Sequence, residues 1–391
     1  MFRPLGKQRG RVLAVADIGS GSAGVAIVAI VGDGPARILE AERVALPFEE
    51  RSPEATVAGV VAQLEDAAQK TLSRYAARKD KPSPHVSGAY AVIRPPWSHS
   101  KTIQAVSEFP QETRIEGQMI SVLAEEALKG DTGLDSASVF ETSVVRVQLN
   151  GYPTARPKGK RAHHIEVSLL VSDCNPSIRA GVVETLQKVF ACPPPTLRSG
   201  TRALLSVLRE STLLPKECLV VNMTSQGTSM IAVRKGVVVE TARVPEGSRS
   251  ILKRVAGEKM PEETLTLMRL LALDQCETDA CDAIKTALVG AEPELVKVFG
   301  ETMGKMSAAR RLPNPLILSA HDDIAPWLGR FLSRIDFAQF TMTTRPFSAR
   351  ALTRHDLEGL VTSDETQKAD TGLFVAGALV ALEAGSNTSR A

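Results

Sequence analysis

The chain has 391 residues, of which 43% are apolar and 23% are charged. This composition is that of a globular protein and excludes disordered and fibrous classes, while the length fits two or three domains. The net charge is +3, and the basic residues are scattered, so the chain offers no basic face that would favour nucleic acid as a partner.

The N-terminal segment predicts strand, turn and strand. An apolar run at residues 12–16 leads into Asp-Ile-Gly-Ser-Gly-Ser-Ala-Gly at 17–24, and a second apolar run covers 25–31. An extended stretch follows at 37–46. Apolar residues then recur at helical spacing over 57–72, which predicts a helix on the sheet.

A small inserted subdomain is predicted next. Prolines at 79–84 end the first helix, and a strand at 86–93 follows. A helix with Ile115 on its apolar face precedes two alternating strands, and 151–161 is a polar basic loop between them. The order strand, helix, strand, strand (SHS2) predicts a compact inserted subdomain from about 96 to 171.

The second half of the chain repeats the plan of the first. Aligning Asn222 with Asp17 places strand over strand and turn over turn, and such a pair of copies predicts duplication into two lobes. The predicted α/β fold therefore has a first lobe, its insert, a return to the first lobe, and a second lobe with a C-terminal helix. The corresponding ranges are 1–85, 86–172, 173–217 and 218–391.

The first turn carries residue types that suit phosphate binding. Gly19, Ser20, Gly21 and Ser22 offer backbone N–H groups and hydroxyl donors, and Asp17 ends the preceding strand. Such a nest binds phosphate oxygens, and a nearby carboxylate can hold hydrated Mg²⁺. The same residues also suit a tight hairpin capped by Asp17, so the turn alone leaves both interpretations open.

These motifs resemble the actin, Hsp70 and sugar-kinase superfamily. The turn at 17–22 is similar to its first phosphate loop, and 222–228 is similar to its second, with Gly227 and Thr228 matching the pattern. The insert and the phrase at 240–247 are most similar to the bacterial cell-division FtsA family, with the pilus-assembly PilM family second. The resemblance implies a two-lobed actin-like fold, ATP and Mg²⁺ in the cleft, filament formation, and partner proteins at the inner membrane.

The chain departs from the family pattern at two places. Asn222 stands where the family has Asp, and Thr224 where it has Gly; an amide is a poor Mg²⁺ ligand and cannot act as a general base. The paired glycines of the adenosine motif are missing at 319–323, and 262–269 lacks the Glu-x-x-Lys pair that contacts ribose. We expect little or no hydrolysis of ATP, and the sequence leaves open whether ATP binds. The alternative role for Asn222 is structural, as a residue whose side chain caps its turn.

Two classes of function remain. The first is a cytoplasmic scaffold or adaptor of the FtsA type, with protein partners from the division machinery, or of the PilM type, with partners from pilus assembly. The second is an active ATPase or small-molecule kinase with the same fold. Asn222 argues against the second, because phosphoryl transfer needs an intact Mg²⁺ site and a catalytic carboxylate.

The remaining features predict ordinary structural roles. Five cysteines without a C-x-x-C pair indicate a reducing compartment, with Cys276 and Cys281 as packing residues. The His-Asp-Asp run at 321–323 is expected to provide an Asp N-cap rather than a metal site. The apolar run at 372–382 has the length of a buried helix.

Direct membrane binding is expected to be weak. The polar segment 383–391 has no apolar face to insert into a bilayer. Arg3, Lys7, Arg9 and Arg11 would give a salt-sensitive attraction to an anionic surface. Attachment at the inner membrane would therefore come from partners or from this basic segment.

Overall fold

The computed structural model describes residues 10–32, 34–130, 133–308, 310–364 and 369–388. Arg3, Lys7 and Arg9, for which membrane attraction is predicted, lie outside these ranges. Among the described helices, none has the length and apolar character needed to cross a membrane.

Strands and helices are interspersed along the described part of the chain. The first lobe begins with β1 (Arg11–Ile18), β2 (Ser22–Ile30), β3 (Ala36–Ala45), α1 (Pro53–Ala77) and β4 (Ala89–Ile93). Next come β5 (Ser98–Arg114), α2 (Gly117–Lys129), β6 (Val139–Leu149), β7 (Tyr152–Pro153), β8 (Arg161–Cys174), α3 (Pro176–Phe190), β9 (Thr196–Ser199) and α4 (Gly200–Glu210). The remainder is β10 (Cys218–Met223), β11 (Thr228–Arg234), β12 (Val237–Val244), α5 (Ser248–Ala256), α6 (Pro261–Ala272), α7 (Asp279–Ser307), β13 (Pro315–Ser319), α8 (Ala325–Arg334), β14 (Ser348–Ala351), β15 (Val361–Ser363) and α9 (Thr371–Thr388).

The first lobe is built on a mixed sheet. Its described strands take the order β15-β3-β2-β1-β4-β9, with β1 antiparallel to β2 and parallel to β4. Every residue of β1 after Arg11 is buried, which explains its unbroken apolar run, because helices cover both faces of this strand. Helices α1 and α3 pack on one face, and α4 and α9 pack on the other.

The second lobe repeats this topology. Its described strands take the order β12-β11-β10-β13-β14, and β10 is antiparallel to β11 and parallel to β13. The order matches β3-β2-β1-β4-β9 of the first lobe strand for strand, so the predicted duplication is confirmed. Apolar residues of α4 and α9 share one core with both sheets, and this core joins the lobes.

The insert is a separate small sheet with its own core. Strands β5, β8, β6 and β7 lie in that order, and α2 packs on the sheet around Ile115 and Leu123. Its first strand, β5, was not predicted as a strand. The predicted loop at 151–161 contains the short strand β7, which pairs with β6.

Two segments lie elsewhere than the predicted ranges place them. The range 86–172 was expected to form the insert, but β4 within it pairs with β1 in the large sheet, and the insert sheet runs from Ser98 to Cys174. The range 218–391 was expected to form the second lobe, but β15 pairs with β3, and α9 packs on the first lobe. The helix predicted at 372–382 is buried as expected.

Two local predictions are corrected. Cys276 and Cys281 form a disulfide with a Cα–Cα distance of 5.9 Å, because the chain turns back between α6 and α7 and brings their sulfurs together. The N-cap of α8 is Ile324, and no side chain caps this helix. Asp323 instead lies within ion-pair distance of Arg269, at 3.5 Å.

Candidate functional site

The two predicted phosphate loops occupy equivalent positions in the two sheets. The first loop joins β1 to β2, and Asp17 pairs with Gly24 in the register of that hairpin. The second joins β10 to β11, and Asn222 pairs with Ser229. Both loops therefore leave the central strand of a sheet at the same edge, as the alignment of Asp17 with Asn222 predicts.

The two loops touch each other across the cleft. The backbone N–H of Gln226 donates to Ser20 Oγ at 3.1 Å. A Cβ at Gly21 would lie 2.4 Å from the Cβ of Ser225, so the two loops approach to van der Waals distance and require glycine at this point. Trp97 supports the first loop from below, because its Nε1–H donates to the carbonyl of Gly19 at 2.9 Å.

Asp17 lies at the centre of a cluster of alternating charges. Its side chain is 1% exposed, and each carboxylate oxygen accepts from a different arginine: Oδ1 from Arg94 Nε at 2.6 Å and Oδ2 from Arg43 Nη2 at 2.5 Å. Arg43 also donates through Nε and Nη2 to both oxygens of Asp370, and through Nη1 to Ser22 Oγ at 3.0 Å. The cluster joins β1, β3, the end of β4 and the start of α9.

Electrostatics hold Arg43 and Asp370 in their charged forms. Burial opposes the charge of Arg43, but the carboxylates of Asp370 and Asp17 outweigh it and raise the pKa of Arg43 above its ordinary value. Burial likewise disfavours the charge of Asp370, yet Arg43 lowers the pKa of Asp370 to about 2. Both members of this pair therefore stay ionised at neutral pH.

Asp370 also begins the C-terminal helix. Its Oδ1 accepts from the backbone N–H of Leu373 at 3.0 Å, which is the N-cap bond of α9. A Cβ at Gly372 would lie 2.2 Å from Arg94 Nη2 and 2.6 Å from Asp17 Oδ2, so the helix backbone closes directly over the charged cluster. Glycine at this position makes that approach possible.

The donor set around Asp17 does not suit Mg²⁺. A hydrated Mg²⁺ needs an approachable carboxylate oxygen, whereas both oxygens of Asp17 accept from guanidinium groups, which are cations themselves. The expectation that Asp17 holds Mg²⁺ therefore finds no support in this geometry. Among the described residues, no cluster of three His, Cys, Asp or Glu side chains offers another metal site.

Asn222 occupies the equivalent place in the second loop without an acid. Its side chain is 1% exposed, and its Oδ1 has no hydrogen-bond partner in the described part of the chain, so this oxygen does not cap the turn. The loop is closed by Thr224, whose N–H and hydroxyl both donate to the carbonyl of Gly227. Thr228 anchors its far end by donating to the carbonyl of Glu246 at 2.6 Å.

A cavity of about 420 Å³ lies between the lobes above the charged cluster, within the usual size range of small-molecule pockets. Its polar lining includes the first loop with Arg43, Arg94 and Asp370. Apolar side chains from both lobes also line it, namely Leu46, Phe48, Leu252, Leu265 and Ile324.

The structure brings together part of the predicted site. Asp17, Gly19, Ser20, Gly21 and Ser22 all line this cavity. Gly227 and Thr228 instead line a separate recess of about 280 Å³ beside Pro95 and Pro96. Sequence reasoning missed Arg43, Arg94 and Asp370; the small-residue Thr-Gly step before an apolar helical run was the available signal for Asp370.

No family model matches the chain, and no curated protein matches its sequence. Solved structures do match it. A PilM–PilN type IV pilus biogenesis complex aligns over 95% of this chain and 98% of the other, with 14% identity and a TM-score of 0.57. A glycerol dehydratase reactivase aligns over 95% and 100%, with 9% identity and a TM-score of 0.47. The ethanolamine utilization protein EutJ from Carboxydothermus hydrogenoformans aligns over 98% and 90%, with 10% identity and a TM-score of 0.43. The duplicated sheets, the paired loops and the first of these similarities together show that the chain has a two-lobed actin-like fold.

Proposed function

We propose that this chain is an actin-like scaffold or adaptor that binds partner proteins and hydrolyses ATP very slowly or not at all. The proposal rests on Asp17 and Asn222, which stand at the two positions of the cleft where the resemblance expects an acidic residue. Asn222 supplies neither charge nor a proton acceptor, and both oxygens of Asp17 are engaged by arginines. Without a free carboxylate at either position, the two loops lack the general base that an ATPase or kinase requires.

Two resemblances indicate which classes of protein are partners of this chain. The sequence motifs resemble the FtsA family and favour partners in cell division. The fold likeness to a structure of a PilM–PilN complex favours partners in type IV pilus assembly. Because that likeness extends over nearly the whole of both chains, PilN-type proteins are the first partners to test, with division proteins second.

Nucleotide binding is part of the proposal as a regulator of assembly. The Gly-Ser loop and the cavity above it are suited to phosphates, and the apolar side chains of the cavity lining are suited to a base. Since the cavity lies between the lobes, a bound nucleotide would alter how they close on each other. Self-association into filaments would then depend on nucleotide.

Phosphate release from ATP by the purified protein tests the absence of an enzymatic role. We expect no release above a protein-free blank, with or without Mg²⁺. Asn222→Asp restores a carboxylate at the second loop and is the variant that could raise turnover. Brisk Mg²⁺-dependent turnover in the unmodified protein, abolished by Asp17→Ala, would overturn the scaffold proposal.

Binding and assembly are tested separately. Tagged protein is mixed with a PilN-type protein or with candidate division proteins, and complexes are measured by gel filtration and sedimentation, with and without ATP. A specific complex or nucleotide-dependent sedimentation is the expected result. A protein that stays monomeric with every partner class and both nucleotide states would contradict the proposal.

A further inference from the structure

An arginine side chain lies beside Asp17, the residue that the sequence predicts to hold a divalent cation. Arg43 reaches from the end of β3 and lies between the carboxylates of Asp17 and Asp370. With Arg94, the cluster holds two guanidinium groups against two carboxylates, and its formal charges cancel. A divalent cation would have to displace an arginine to reach Asp17, and would then face the remaining positive charge.

We propose that Arg43 replaces the divalent cation, so that the cleft binds a nucleoside polyphosphate without metal, with Arg94 as the donor to its phosphates. This inference rests on the nucleotide-binding part of the proposed function and gives it a specific chemistry. Arg43 is a positioning residue that lies between the two carboxylates and, together with Arg94, balances their charge. Arg94 contacts the ligand.

The backbone around Arg43 is shaped to hold it. A Cβ at Gly24 would lie 2.9 Å from Cζ and Nη2 of Arg43, so glycine in β2 makes room for the guanidinium as it crosses the strand. Three different side chains, Asp17, Ser22 and Asp370, accept from its nitrogens. A guanidinium held on three sides by fixed acceptors is a permanent cation of fixed position, which is what a bound metal otherwise supplies.

Arg94 has donors to spare. Its Nε donates to Asp17, while in the described part of the chain its two terminal nitrogens have no hydrogen-bond partner. Arg94 lines the cavity, and its Nη2 lies beside Gly372. Arginine presents paired N–H groups that match phosphate oxygens, so this group can bind a phosphate directly.

The surroundings complete the site. Because Arg43 and Arg94 together balance the charges of Asp17 and Asp370, these carboxylates no longer add a net repulsion toward an incoming phosphate. The Gly-Ser loop lines the same cavity, and Arg249 lines it from the second lobe. The apolar residues of the lining offer a surface for the base.

Titration calorimetry with ATP tests the inference on the full chain, once in excess Mg²⁺ and once in EDTA. We expect the two dissociation constants to agree within twofold. ADP and tripolyphosphate are titrated in parallel; weaker binding of tripolyphosphate shows that the apolar side chains of the cavity lining contribute. Binding that weakens tenfold or more in EDTA, or no binding in either condition, would overturn the inference without use of any variant.

Two variants of β3 sharpen the test. Arg43→Gln keeps a hydrogen-bonding side chain but removes the positive charge between Asp17 and Asp370, so ATP affinity in EDTA should fall at least tenfold, and Mg²⁺ should restore part of it. Arg37→Gln is the matched control, because Arg37 lies on the same strand, is exposed and pairs with Asp364 away from the cleft. It should bind ATP like the unmodified protein in both conditions.

A third variant separates the two arginines. Arg94→Gln should weaken ATP binding equally in Mg²⁺ and EDTA, because it removes a phosphate donor and leaves Arg43 in place. If Arg43→Gln binds ATP in EDTA as tightly as the unmodified protein, Arg43 does not replace a cation. The complex with partner proteins is measured without nucleotide in the same preparations, so failure of this inference is distinguishable from failure of the scaffold proposal.

Discussion

The carboxylate of Asp370 should contribute measurable stability through its charge. Its pKa falls from 3.8 to about 2 in the folded protein, because Arg43 outweighs the cost of its burial. At about 1.4 kcal/mol per pKa unit, this corresponds to roughly 2 kcal/mol of the free energy of unfolding at neutral pH. Asp370→Asn removes the charge but keeps an oxygen for the N-cap bond to Leu373, so the loss should come from the ion pairs.

The sign of the pH dependence follows from the lowered pKa. A carboxyl whose pKa is lower in the folded protein stabilises it fully above pH 3.8, and this contribution disappears as the pH falls through about 2. The difference between the unmodified protein and Asp370→Asn should therefore be constant from about pH 5 to 7 and fall to about half near pH 3. Asp370→Ala should cost about 1 kcal/mol more, because it also removes the cap.

Urea unfolding followed by circular dichroism at several pH values measures these differences. Asp364→Asn is the control, because Asp364 also pairs with an arginine of β3 but is exposed, and exposed pairs contribute about 0–1 kcal/mol. If Asp370→Asn is as stable as the unmodified protein at pH 7, or if the difference does not shrink in acid, the charged cluster does not stabilise the fold as argued.

Three further results are expected. Burial raises the pKa of Glu141, whose Oε2 accepts from the N–H and hydroxyl of Ser199, so the contribution of Glu141 to stability declines as the pH rises from 4.5. Glu141→Gln should remove this decline, measured by urea unfolding at several pH values. An unchanged dependence of stability on pH would contradict this expectation. Gly247→Ala should destabilise the second loop, because the added Cβ would lie 2.3 Å from the carbonyl oxygen of Ser225. Gly290→Ala in α7 is the control and should be neutral or stabilising, because the space around Gly290 is open. Equal melting temperatures of the two variants would refute this expectation. Replacing residues 99–173 by a short glycine linker should leave both lobes folded by circular dichroism, because Ser98 and Cys174 are paired neighbours; an insoluble product would show that the insert belongs to the lobe core.

The sequence predicts the parts of this fold that have local signals. The buried strands β1 and β10 are unbroken apolar runs followed by polar turns, so both the duplication and the first loop can be read from the sequence. Strand β5 was missed because it lies at the edge of its sheet and is mostly polar, with few buried side chains to give a clear alternation. Its pairing with β8 is what makes it a strand.

Apart from the Thr-Gly step that follows Asp370, the charged cluster has no local signal in the sequence. Arg43 and Asp370 are 327 residues apart in the sequence, and Arg94 follows a different strand from either. Nothing in the pattern around Arg43 distinguishes it from Arg37, which lies on the same strand and is exposed. The return of β15 to β3 brings the end of the chain back to the first lobe, and that long-range pairing is what places Asp370 in the cleft.

That return also determines how the lobes can move. The chain passes into the second lobe after α4 and leaves it again after β14, so any opening of the cleft must bend two connections at once. The connections are tied to each other, because the hydroxyl of Ser211 donates to the carbonyl of Asp356 at 3.2 Å, and Arg350 donates to the carbonyl of Leu213 at 3.2 Å. Two adjacent connections that are hydrogen-bonded to each other act as a hinge. They favour rotation of the lobes about an axis through both connections and resist translation of one lobe along the other.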